Sequence, residues 1–140
     1  MTALGHADIA GLIPHDGAMC LLDQVVSWND EGIVCAATSH RNPDHPMAQD
    51  GRLDAVCGLE YACQAMAAHG ALLASSRSAV GYVAVVRDMA LHVGRLDDLP
   101  GALDITAIRL MGEGARVIYR FSVHSDGREL VSGRVAVVLA

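Results

Sequence analysis

The sequence predicts an α+β fold in which one antiparallel sheet curves around a single long, largely apolar helix. The stretch Ala55 to Ser75 has no proline and one acidic residue and is filled with Ala, Leu and Met, which gives a helix of about five to six turns. Apolar residues occur on every side of it, so other elements are expected to enclose it. Two strand-like runs precede this helix and four follow it, so strands and helix are segregated rather than alternating.

Taken in order, Ala7 to Leu12 reads as a short amphipathic turn ending at Ile13-Pro14-His15-Asp16-Gly17, where proline and glycine bend the chain. Met19 to Trp28 is a strand rich in Leu and Val. It stops at the turn signal Asn29-Asp30-Glu31-Gly32, and Ile33 to Thr38 returns as its hairpin partner. Ser39 to Asp54 is polar and broken by Pro43, Pro46 and Gly51, a loop long enough to carry function. Beyond the helix and the Arg77-Ser78 break, strands are predicted over Val80 to Val93, Ala102 to Leu110, Ala115 to His124 and Glu129 to Leu139. Arg95 to Pro100, Gly112-Glu113-Gly114 and Ser125-Asp126-Gly127 supply the reversals. Alternation is clearest where Val117, Tyr119, Phe121 and Val123 interleave with Arg116, Arg120, Ser122 and His124, the pattern of one buried and one wet face. Residues 1–140 read as one domain. Open sheet edges and an uncovered side of the helix predict a dimer with a continuous sheet.

Composition narrows the function. With 52% hydrophobic residues but only five aromatics, any cavity is walled by small and branched aliphatics, which suits an alkyl chain better than a nucleobase. The net charge is −6, Lys is absent, and the ten Arg are scattered, so nucleic acid is excluded as a partner. An acidic protein partner can be met only through a local cluster of Arg, for which Arg87 and Arg95 are the candidates, Arg87 reading otherwise as an ion-pair partner of Asp88. Cys20, Cys35, Cys57 and Cys63 lack metal-ligand spacing and read as reduced, buried thiols. Met1 to Leu12 has neither a basic region nor a long apolar run, so a cytoplasmic protein with no membrane segment is expected.

Glu60 is the most informative residue. It is the only carboxylate between Ala55 and Arg87, in the first half of a helix that reads as buried. A carboxyl group held out of water ionises less readily, the condition for a general acid near neutral pH. Gln64 lies one turn on, with Cys57, Ala67 and Ala71 completing a stripe of small side chains. The alternative for Glu60 is an ion pair with an Arg, or access to solvent at an irregular edge. His45, in Asn42-Pro43-Asp44-His45-Pro46-Met47, is fifteen positions earlier and is a candidate base if the loop folds over the helix, although an exposed loop histidine is the plainer reading. His40 competes with it, and His69 falls on the opposite helix face.

The run from Ile13 to Val25, Ile-Pro-His-Asp-Gly-Ala-Met-Cys-Leu-Leu-Asp-Gln-Val, resembles the opening of the β-hydroxyacyl-acyl-carrier-protein dehydratases, and Gly58-Leu59-Glu60-Tyr61-Ala62-Cys63-Gln64-Ala65 resembles their Glu-x-x-x-Gln helix. The chain is most similar to the dehydratase-like subunits of aryl polyene clusters. The resemblance implies a hotdog fold and dehydration of a 3-hydroxyacyl thioester to a trans-2-enoyl thioester, with no metal and no cofactor. It assigns His45 as base and Glu60 as acid, paired across a homodimer or a heterodimer with a related hotdog subunit. The backbone N–H groups of Ala55, Val56 and Cys57 are implied at the thioester carbonyl, with Gln64 and Met47 lining the site. His15 also resembles a family position, where its expected role is to fix the turn. Three features depart from the family pattern: Asp44-His45-Pro46-Met47 replaces Gly-His-Phe-Pro, the spacing to the carboxylate is one residue longer, and Asp54-Ala55 replaces Pro-Gly. The alternatives are therefore a weakly active companion in a heterodimeric dehydratase, and an acyl thioesterase.

Overall fold

The computed structural model describes residues 3–15, 17–75, 81–113 and 115–139. The chain runs β1 (Leu4–Gly5), α1 (His6–Leu12), β2 (Gln24–Trp28), β3 (Gly32–Ala37), α2 (Gly58–Ala74), β4 (Gly81–Leu91), β5 (Leu103–Glu113), β6 (Arg116–Ser125) and β7 (Arg128–Leu139). All strand pairs are antiparallel, in the order β1-β2-β3-β5-β6-β7-β4. The strand that follows the long helix therefore crosses over to the far edge.

The inner face of the sheet is built by strict alternation. Ile33, Cys35 and Ala37 on β3, Leu103, Ile105 and Ala107 on β5, and Tyr119, Phe121 and Val123 on β6 are all buried, and α2 lies across them. A 3-10 turn, Ala55–Cys57, leads into α2. The helix enters close to the sheet because Gly58 has no side chain: a Cβ there would stand 3.1 Å from Val131 Cγ2. It ends at Ser75, whose left-handed backbone turns its N–H back to the carbonyls of Ala71 and Leu72.

Within the protomer α2 is not enclosed all round, contrary to what its composition predicts. Tyr61, Ala62, Ala65, Met66 and Ala68 are buried, whereas Glu60, Cys63, Ala67, Gly70 and Ala74, at helical spacing, are half-buried or exposed. A sheet one layer thick covers only one side of a cylinder, and apolar composition cannot say which side.

Other boundaries also shift. Met19 to Trp28 is not one strand: Gly17–Met19 forms a 3-10 turn and β2 starts at Gln24. Leu21 and Leu22 are fully buried without belonging to the sheet. β5 continues through Gly112 to Glu113, and the two-residue strand β1 carries no sequence signal. The predicted features at Asp16, Arg77-Ser78, Val80 and Gly114 lie outside the described residues. Among the described residues no helix is long and apolar enough to cross a membrane.

Candidate active site

Glu60 sits in the first turn of α2 with about a quarter of its side chain exposed. Its Oε1 accepts a hydrogen bond from Gln64 Nε2 at 3.1 Å and stands 2.9 Å from His15 Nε2. The neighbour of Glu60 is thus the histidine of the Pro14 bend and not an arginine. Gln64 is fully buried and both polar groups of its amide are bonded: Nε2 also donates to the Met19 carbonyl at 2.7 Å, and Oε1 accepts from the Leu21 N–H at 2.9 Å. This amide fastens the segment after the bend to the helix, which brings His15 onto Glu60. His15 therefore does more than fix its turn. Its Nδ1 is buried without a partner among the described residues, so Nε2 is the working nitrogen.

His45 is buried, although Asp44 and Pro46 on either side are exposed. Its Nδ1 accepts from the Met47 N–H at 3.0 Å, so the neutral ring carries its proton on Nε2, which donates to Tyr61 Oη at 3.1 Å. Tyr61 in turn donates to Ser39 Oγ at 2.7 Å, and Ser39 to the Leu21 carbonyl at 2.8 Å. Burial, helped by nearby His40, holds His45 below the ordinary histidine range and so in this neutral form. His45 and Glu60 do not touch within one protomer. They stand at opposite ends of one polar chain running through Tyr61, Ser39, the Leu21 backbone and Gln64.

At the head of the helix, two of the three expected amides are occupied. Ala55 donates to the Gly94 carbonyl at 3.1 Å and Cys57 to that of Asp54 at 3.0 Å. The Val56 N–H donates to none of the described residues, and Val56, 49% exposed, lies one turn before Glu60 on the uncovered stripe. Arg95 is held by Asp97, whose Oδ1 also accepts the Leu53 N–H, so this pair anchors the loop before the helix and is not free for a partner. Met47 packs half-buried against the core.

The two other buried histidines have structural bonds. His40 Nε2 donates to the Leu99 carbonyl at 3.0 Å. His69 Nε2 donates to that of Asn29 at 2.7 Å, and its Nδ1 accepts from Tyr119 at 2.6 Å. The four cysteines are free thiols. Burial, helped by the Glu60 carboxylate, pushes Cys63 on the uncovered stripe up to about 12, which favours the thiol over the reactive thiolate.

The profile of the ApeP-like family, described as ApeP dehydratase, matches residues 7–140. The chain belongs to this dehydratase family. Among solved structures it is similar to the dehydratase heterocomplex ApeI:P from Xenorhabdus doucetiae, at 22% identity over 94% of this chain and 90% of that one, with a TM-score of 0.82. It is also similar to the E. coli PaaI protein from the phenylacetic acid degradation operon (12% identity, 95% and 88% covered, TM-score 0.65). A thioesterase from Staphylococcus aureus gives 12% identity, 82% and 90% covered, and a TM-score of 0.59. At these identities the structures show the shared hotdog fold. No curated protein matches significantly.

Two members of this polar chain were missed at the level of sequence. Tyr61 adjoins Glu60, and a buried tyrosine hydroxyl in an aliphatic helix must find a partner, so that signal was present. Ser39 offered none.

Proposed function

We propose that this dehydratase acts on 3-hydroxyacyl thioesters carried by acyl carrier protein, in aryl polyene or fatty acid assembly, releasing water and a trans-2-enoyl thioester. Glu60 donates the proton that leaves with the 3-hydroxyl, His45 takes the α-proton, and the Val56 N–H binds the thioester carbonyl. The site is shared with a second hotdog subunit, His45 of one protomer facing Glu60 of the other, in a homodimer or a heterodimer. The observation that carries this reading is Glu60 itself: a carboxyl group fixed by Gln64 and His15 at the head of a stripe of small residues that its own sheet leaves uncovered. That stripe is lined by Cys63, Ala67 and Gly70, room for an acyl chain.

One observation favours a second reading. With Nδ1 accepting from Met47 and Nε2 protonated, His45 has no free lone pair, so it acts as a base only after the Met47 N–H leaves Nδ1, which frees that nitrogen or lets the proton shift from Nε2 to it. A subunit in that state depends on a companion to supply or complete the base. Incubating the chain with a 3-hydroxyacyl thioester, alone and with a companion hotdog subunit, and following mass decides between them. Loss of water by the chain alone supports the first reading, and loss only with the companion supports the second. Release of the free acid instead makes the protein a thioesterase and overturns both.

A further inference from the structure

Arg120 on β6, Arg134 on β7 and Arg87 on β4 stand directly opposite one another across three adjacent strands. Arg120 lies between buried Tyr119 and Phe121, and Arg134 between buried Gly133 and Val135, so the row faces away from α2. All three are exposed, and none has an ion-pair partner among the described residues, Asp88 included. Arg52 and Arg95, in contrast, are paired with Asp54 and Asp97.

Like charges directly opposite in a sheet destabilise it. Here the repulsion occurs twice in one row, on a chain whose net charge is −6. The row borders a groove of about 430 Å³ whose next rung is three hydroxyls, Thr106, Ser122 and Ser132, in register across β5, β6 and β7. Two carboxylates also line it: Asp88, at the bulge beside Arg87, and Glu129, which is engaged by His92 at 3.1 Å.

We infer that this row is the docking surface for the acidic carrier protein that presents the acyl thioester, an inference that rests on the function proposed above. Charge complementarity selects the occupant. A second copy of the chain, packed on this face about a two-fold axis, sets one arginine row against another.

The test compares a carrier-linked 3-hydroxyacyl substrate with a short soluble thioester lacking the carrier, in the assembly that is active. For the double variant Arg120→Glu/Arg134→Glu, KM for the carrier-linked substrate rises roughly tenfold or more while turnover of the soluble thioester stays within about twofold. Arg134→Gln removes a like-charge neighbour, so its melting temperature holds or rises while carrier affinity still falls. An unchanged carrier KM in both variants overturns the inference. If the wild type turns over neither substrate, the dehydration reading fails separately, and fluorescence anisotropy with the carrier protein still decides the surface. Salt-sensitive binding weakened by Arg134→Gln supports it; equal binding by both proteins, or none, overturns it.

Discussion

At the scale of single residues, Glu60 and His45 have opposite surroundings, and their substitutions should separate rate from folding. Glu60 is bonded only through Oε1, and no described residue bonds Oε2, so Glu60→Gln preserves shape and an acceptor while removing the proton donor. General acids and bases each contribute roughly 10²- to 10⁴-fold. Glu60→Gln should cost turnover in that range with little loss of stability. His45→Ala should lose rate similarly but also destabilise, because the Met47 N–H and the Tyr61 hydroxyl lose a buried partner, worth about 1–3 kcal/mol. Groups that act in one step are not additive, so the double variant should be little slower than the worse single one. Single-turnover rates with a 3-hydroxyacyl thioester, alongside urea titrations, check all three. A His45→Ala protein that keeps full turnover per folded molecule leaves the base to a companion subunit.

At the scale of elements, the helix was legible because the proline-free stretch from Ala55 to Ser75, rich in Ala and Leu, is too long for a single strand, and β6 because its alternation is nearly perfect. The Met19–Trp28 run misled for a physical reason. Leu21 and Leu22 are buried by a side-chain amide reaching from α2, and a tertiary bond spanning 43 residues leaves no local periodicity. The same holds for the site: Glu60, Gln64 and His45 could be singled out by residue type and resemblance, but the contact between His15 and Glu60 depends on where Gln64 pins the bend. Close strand approach sets another limit that composition hides. A Cβ on Gly32 would stand 2.6 Å from the Ala107 carbonyl oxygen, an atom of the facing β5 backbone. Gly32→Ala must push β3 from β5, and about 1–3 kcal/mol of unfolding free energy should be lost. A urea midpoint equal to that of the wild type contradicts the close approach.

For the molecule as a whole, two features point outward and three inward. β4 forms an open edge with Val83 and Leu91 exposed on it, and the uncovered stripe of α2 begins at Glu60, so the proposed acyl site and the strand edge both await cover of the kind a second hotdog subunit gives. Inward, His40, His45 and His69 are all sealed in the fold, and burial holds each below the ordinary histidine range, which centres on 6.5. Desolvation is the main cause, and the backbone carbonyls bonded to His40 and His69 work against it. His40 and His69 each donate one N–H to a backbone carbonyl, His69 and His45 each use a ring nitrogen as an acceptor, and a second proton on His45 would face the Met47 N–H. In the unfolded chain each imidazole takes up its proton near pH 6.5, whereas the folded protein resists until lower pH. Below about pH 6.5 the unfolded state therefore binds protons that the native state does not, and stability falls as the pH drops; above it these rings contribute no slope. Each ring adds at most about 1.4 kcal/mol per pH unit across its window. Melting temperature at fixed protein concentration should be level between about pH 8 and pH 7 and should fall steadily toward pH 5. His69→Gln, which no longer titrates there, should make that fall shallower by one proton's worth even if its melting temperature at neutral pH is lower. A melting temperature that stays level down to pH 5 means these rings are protonated in the fold, which contradicts the bonds that place His45 at one end of the chain leading to Glu60.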